Sequence, residues 1–127
     1  MSKKVIATEK APKAIGPYSQ GIMVNGFLYT SGQVPLDPQT GKLVEGDIQV
    51  QAKRSLDNLK AIIEAAGYTM EDIVKTTVFL KDIANFKAVN EVYAGYFSAN
   101  PPARSAIQVA ALPLNAELEI EAVAFKL

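Results

Sequence analysis

The stretch NPPARSAIQVAALP, residues 100–113, reads as a β-strand entered through Pro101-Pro102, and the one charge in it is Arg104. The prolines fix the chain at its entry. Period-two alternation sets Arg104 on one face with Ala106 and Gln108, and Ser105 on the other with Ile107 and Val109. An unpaired guanidinium inside a strand is costly, so Arg104 needs an anion. Its small neighbours leave room for one. Two readings stand side by side. In the first, Arg104 clamps a small carboxylate through two parallel N–H bonds. In the second, it forms a structural ion pair with Glu119 or Glu121, within the chain or across a subunit contact. Spacing does not choose between them.

The run LEIEAVAF, residues 118–125, puts Glu119 and Glu121 two apart and therefore on one face of a strand. Like charges so placed tend to raise one pKa. A carboxylate held that way can bind and polarise a water. The plainer reading is a solvated edge face, or partners for Lys126 and Arg104. In IGPYSQG, a Gly-Pro turn presents Tyr18 as a hydrogen-bond donor or aromatic wall for a ligand, or as a surface tyrosine capping a core. YTSGQVP ends a strand at Ser31-Gly32, where backbone amides and a hydroxyl can hold an anion. Most such pairs merely end strands, and the helix-starting glycine-rich phosphate loop is not present. Asn90 follows Val89 on an apolar helix face. It reads as a pocket-lining amide or a satisfied core group, the second being commoner.

With no histidine and no cysteine in the chain, imidazole bases, thiolate nucleophiles, His or Cys metal sites and disulfides are excluded. Chemistry falls to Arg, Tyr, Ser, Asn, the acids, Lys, backbone groups and water. The 127 residues, 49% hydrophobic and 20% charged, fit one globular domain over 1–127. Thirteen basic residues balance thirteen acidic ones. Zero net charge gives no electrostatic footprint for nucleic acid and little repulsion against self-association. MSKKVIATEK lacks the apolar run of a signal peptide, and no run approaches the ~18 apolar residues of a membrane span. The expected location is the cytoplasm.

Several elements must position these residues. Residues 4–8 suggest a short strand, and 9–19 an ordered loop. Asn25-Gly26 between apolar runs predicts a hairpin, with strands at about 20–24 and 27–31. Residues 32–46 are turn-rich. Asp47 as N-cap, apolar residues at helical spacing and Gly67 as terminator predict a helix over 48–66. Thr69 and Asp72 suggest one capped turn. A strand follows at 74–82, a helix at 83–98, and strands at 103–111 and 117–126, the last two joined by a turn at Pro113 and Asn115. The order β-β-β-α-β-α-β-β argues an α+β fold, a mixed sheet with two helices on one face. Small residues on the late strands, Ala106, Ala110, Ala122 and Ala124, suggest another subunit on the other face.

IGPYSQG, YTSGQ, QAKRSLDNLKAIIEAAG, DIVKTTVFLKD, FKAVNEVYAGYF, PPARSAIQVAALP and LEIEAVA follow one another over nearly the whole chain. In this order they resemble the RidA family (YjgF/YER057c/UK114), in its archetypal enamine/imine deaminase branch. The resemblance implies a chorismate-mutase-like α+β fold and a homotrimer with a cleft at each subunit interface. It implies hydrolysis of 2-aminoacrylate-type enamines, as their imine tautomers 2-iminopropanoate and 2-iminobutanoate, to 2-keto acids and ammonia. That activity protects PLP enzymes from damage. No metal or organic cofactor is implied. The family's carboxylate-binding arginine falls on Arg104, its tyrosine on Tyr18, its serine and glycine on Ser31 and Gly32, its helix asparagine on Asn90. The water-positioning glutamate falls on Glu119, with Glu121 as second choice. Ala106 stands where many relatives carry cysteine, at a position that shapes the pocket. Two alternatives are a non-catalytic trimer binding small carboxylates and an endoribonuclease or translation inhibitor. Against the second stand the missing histidine base and the missing basic stripe.

Overall fold

The computed structural model describes residues 2–97 and 99–127. Among the described residues there are six strands and two α-helices: β1 (Lys4–Ile6), β2 (Gly21–Val24), β3 (Phe27–Thr30), α1 (Ile48–Ala65), β4 (Ile73–Leu80), α2 (Phe86–Ala94), β5 (Ala103–Gln108) and β6 (Leu118–Phe125). The strands form one sheet in the order β1-β2-β3-β6-β4-β5. Of these strand pairs, β4–β5 is parallel and the others are antiparallel. The α+β expectation, a mixed sheet with both helices on one face, holds.

Local chemistry explains the boundaries. Asn25 and Gly26 both have positive φ, 51° and 85°, as a type I′ hairpin turn requires. The Asp47 carboxylate accepts from the Val50 N–H at 3.0 Å and opens α1. At the other end the Tyr68 N–H reaches Ile63 O at 3.1 Å and the Gly67 N–H reaches Glu64 O at 3.0 Å. That pair is a Schellman closure. The predicted Thr69–Asp72 turn is present, the Thr69 N–H donating to Asp72 Oδ2 at 2.7 Å. The second helix is shorter than the 83–98 predicted. Asp82 caps a 3₁₀ turn at Ile83–Asn85, and α2 proper stops at Ala94. Ser98, the last residue of that prediction, lies outside the described residues.

The core lies between α1 and the sheet. Leu56, Leu59, Ile62 and Ile63 of α1 are fully buried with Leu28, Leu118 and Ile120. Each contributes roughly 1.5–3 kcal/mol on transfer from water. Ala122 and Ala124 belong to this core. They do not lie on the face expected to receive a subunit. On β6 the residues alternate, so Ala122 and Ala124 share the helix side with Leu118 and Ile120. Ala106 also packs toward the helices, and Ala110 is exposed beyond β5. The uncovered face is built instead from Phe27, Tyr29, Phe79, Ile107, Val123 and Phe125, interleaved with Lys75, Thr77, Ser105, Glu119 and Glu121. Phe27 packs against Phe125 with centroids 4.8 Å apart and the rings tilted by 56°, and Phe27, Tyr29 and Ile107 remain exposed.

Candidate active site

Arg104 lies on edge strand β5, opposite Thr76 of β4, which is opposite Ala122 of β6. Thr76 and Ala122 are buried under the helices, so Arg104 points to the helix side. There it meets one face of α2, where Phe86, Asn90 and Tyr93 recur at helical spacing. Arg104 Nη1 donates to Asn90 Oδ1 at 2.6 Å. The guanidinium carbon lies 5.1 Å from the Phe86 ring centroid and 4.8 Å from that of Tyr93, within cation–π range. Tyr93 is tied in turn to Thr76 by a buried 2.7 Å hydroxyl–hydroxyl bond. Burial raises the Tyr93 phenol above its ordinary pKa, against the lowering effects of Thr76 and the Arg104 charge. A cleft of about 360 Å³ opens here, lined by Asn90, Tyr93, Phe97, Pro101, Pro102 and Arg104.

Glu119 lies elsewhere. It is opposite Phe79 on β4, and Phe79 is opposite Ile107 on β5. That row faces away from the helices. Arg104 and Glu119 therefore project from opposite faces of one sheet. Among the described residues the ion pairs are Lys53–Asp57 and Lys81–Glu117, so the pairing of Arg104 with Glu119 or Glu121 does not occur within the chain. Nor is Asn90 a core amide: it is half-buried and lines the cleft.

Around Glu119 the backbone is irregular. Tyr29 is opposite Val123, and Gln33 is bridged to Ile120. Three residues, 30–32, thus face two, 121 and 122, so the β3 side bulges and re-aims what it carries. The bulge lays Gly32 on the Glu119 side chain. A Cβ at Gly32 would come within 2.6 Å of the Glu119 carboxyl carbon, which leaves glycine alone able to occupy the position undisturbed. Burial first, and the nearby Glu121 charge second, raise the Glu119 pKa above its ordinary value. The Ser31 hydroxyl donates to Ser19 O at 2.5 Å and its N–H to Gln20 O at 2.9 Å. These bonds tie the bulge to the segment that carries Tyr18. Tyr18 is 53% exposed, and its hydroxyl accepts from the Ile15 N–H at 3.4 Å. A larger concavity of about 830 Å³ runs beside Tyr18, Ser19 and Gln20, and includes Lys13. Two half-sites result: Arg104 and Asn90 with α2, and Ser31, Gly32 and Glu119 at the bulge, tied through Ser31 to the segment that carries Tyr18. Ala106 lies on the Arg104 face of β5 but packs against the core and does not line the cleft.

The family model described as Endoribonuclease L-PSP matches residues 8–126. A RutC family protein of Pyrococcus abyssi is 53% identical over 99% of both chains. The human protein named 2-iminobutanoate/2-iminopropanoate deaminase is 52% identical over 98% of this chain and 90% of its own. The chain belongs to the RidA family. Among solved structures, E. coli TdcF with bound serine superposes with a TM-score of 0.93 at 49% identity, covering 98% of this chain and 99% of that one. No helix of the described residues is long and apolar enough to cross a membrane.

The motifs shared with the RidA family led to both half-sites but not to what holds them. Phe86 and Tyr93 belong to the apolar face of α2, which by its spacing alone looks like core, and both touch Arg104. Gln20 carries no motif of its own that marks it. It is buried, its Oε1 accepting from the Thr8 N–H at 2.7 Å and its Nε2 donating to Pro12 O at 2.8 Å and Thr8 O at 3.0 Å. A glutamine in an otherwise apolar strand start was the only available signal.

Proposed function

We propose that the protein hydrolyses 2-imino acids such as 2-iminopropanoate and 2-iminobutanoate to 2-keto acids and ammonia, as a homotrimer whose sites form between neighbouring copies. The observation that carries this reading is the arginine with no carboxylate partner among the described residues, held against α2 at an open cleft. The names of relatives about half identical to this chain support the substrate class. The exposed apolar face around Phe27, Tyr29 and Ile107 supports self-association, because patches of this kind on soluble proteins mark contact surfaces.

Arg104 of one copy binds the substrate carboxylate through two N–H bonds. Glu119 of a neighbour, with Tyr18 and the Ser31–Gly32 bulge, closes the other side. Since the Ser31 proton is committed to Ser19 O, its remaining lone pairs accept from the imine N–H. Water adds to the carbon of the protonated imine and the C=N π electrons move to nitrogen. Glu119 takes a proton from the added water and delivers it to the amine. The N-protonated carbinolamine then collapses: the Glu119 carboxylate takes its O–H proton, that electron pair forms the C=O bond, the C–N bond breaks, and ketone and ammonia separate. The raised pKa of Glu119 brings it nearer the range in which a carboxylate shuttles protons well. Positioning supplies most of the rate, since a protonated imine is already electrophilic.

The test is ammonia release from imine generated in situ by a PLP-dependent serine or threonine dehydratase. Arg104→Ala should lower kcat/KM on the order of 100-fold, the scale of losing a desolvated bidentate contact. Unchanged turnover would overturn the assignment. Binding of 2-oxobutanoate without any acceleration would point to a non-catalytic carboxylate binder instead.

A further inference from the structure

We infer that Phe86 and Tyr93 are positioning residues that hold the Arg104 guanidinium between two aromatic faces, so that its outer edge is set for a carboxylate before substrate arrives. The inference rests on the carboxylate-binding role proposed for Arg104 and adds what fixes it there.

An arginine on an edge strand has no reason to adopt one rotamer. Arg104 is exposed, and a free side chain of this type carries large rotamer entropy. Ordering it on demand would weaken every substrate contact. The arrangement on α2 removes that requirement. Phe86 and Tyr93 flank the guanidinium at 5.1 and 4.8 Å, and Asn90, between them on the same helix face, takes one N–H at 2.6 Å. A guanidinium has five N–H donors in one plane. Ring faces do not compete for these in-plane donors, and Asn90 uses one. Four remain for a ligand. Carboxylate side chains in place of the rings would have neutralised the charge and filled the fork.

The rings are themselves fixed. Tyr93 is 5% exposed and stacks on Phe97 with centroids 4.5 Å apart. Its hydroxyl bonds Thr76, and Thr76 is the residue directly opposite Arg104 in the β4–β5 ladder. Backbone register, phenol and cation thus close a circuit: β5 sets Arg104, β4 sets Thr76, Thr76 sets Tyr93, and Tyr93 sets the guanidinium. Phe86 begins α2 directly after the 3₁₀ turn, whose Ile83 N–H is held by the Gln108 carboxamide of β5 at 2.9 Å. Phe86 is therefore anchored next to β5, the strand that carries the arginine, and Tyr93 to β4, the strand paired with it.

Phe86→Leu, Tyr93→Leu and Tyr93→Phe separate the effects. Leucine keeps apolar bulk without a π face; phenylalanine keeps the face without the Thr76 bond. In imine hydrolysis, each Leu variant should raise KM about three- to tenfold, as loss of one cation–π contact implies, with kcat much less affected. Tyr93→Phe should raise KM less than Tyr93→Leu does, since it retains the cation–π face and loses only the tie to Thr76. Folded Leu variants with parental KM would overturn the inference, as would a Tyr93→Phe variant as impaired as Tyr93→Leu. If the buried Tyr93→Leu fails to fold, the half-buried Phe86 position still decides.

A second readout needs no activity. In the parent protein, the Arg104 Nε–H resonance should be ring-current shifted, ordered and slow to exchange, and Phe86→Leu should reverse all three. Should the parent show no hydrolysis while this signature is present, the proposed function fails and the aromatic clamp stands. A mobile, unshifted Arg104 signal rejects the clamp whatever the activity.

Discussion

At the scale of single residues, the informative feature is a carboxylate placed at a cost. Glu119 is pressed under Gly32, partly desolvated, and set beside Glu121. Its pKa is raised in the folded state, so folding favours its protonated form. The stability Glu119 contributes is whole below its ordinary value of 4.5 and declines as pH rises through the raised folded value. At neutral pH the ionised group opposes folding. Glu119→Gln should therefore raise Tm at pH 7 while abolishing hydrolysis, and the gain should vanish below about pH 4.5. Thermal melts of both proteins at pH 4 and pH 7 test this. A difference in Tm equal at the two pH values would show that ionisation is not the cause. A side chain whose removal stabilises the fold and stops the reaction is one retained for chemistry.

At the scale of elements, Gln20 joins the site to the scaffold. One carboxamide at the start of β2 gathers Thr8, Ala11 and Pro12 of the N-terminal loop, the loop that leads into Tyr18. Gln20→Ala leaves those groups without their partner, at about 1–3 kcal/mol. The expected loss is local: faster hydrogen exchange at the Thr8 amide and weaker substrate binding, with α1 amides unchanged. Uniform acceleration across the core would instead make Gln20 a global structural residue. What the sequence conveyed at this scale follows one rule. Signals contained in a few adjacent residues were legible: the Asn25-Gly26 turn, the Asp47 cap, the Gly67 closure, the alternation of β6. Signals that depend on which face meets α1 were not. The parity of β6 separates Glu119 and Glu121 from Ala122 and Ala124, yet only packing fixes which set is buried. Phe86 and Tyr93 carried the same ambiguity, since an aromatic stripe on a helix looks alike whether it meets leucine or a guanidinium. The bulge at residues 30–32 has no local signature, because it is a mismatch between strands ninety positions apart in sequence.

At the scale of the molecule, the sheet divides the candidate site. Arg104 and Glu119 stand on opposite faces, and no side-chain rotation within one chain brings them onto one small substrate. If both act in the same reaction, each must act with its counterpart from another copy. That arrangement predicts complementation. Arg104→Ala and Glu119→Gln chains each retain at most about a hundredth of the parent activity alone. Mixed, unfolded and refolded together, they assemble clefts of several kinds, and those taking Arg104 from one variant and Glu119 from the other are intact. With equal amounts and random assembly, each side is sound half the time, so activity should recover to about a quarter of the parent level. Dilution before refolding should not change that fraction once the proposed trimers form, whereas mixing already folded variants should give far less until subunits exchange. No recovery in co-refolded samples that size-exclusion chromatography shows to be mixed oligomers would mean that both residues serve the site from the same chain, which the sheet geometry forbids, or that one of them is not part of the site at all.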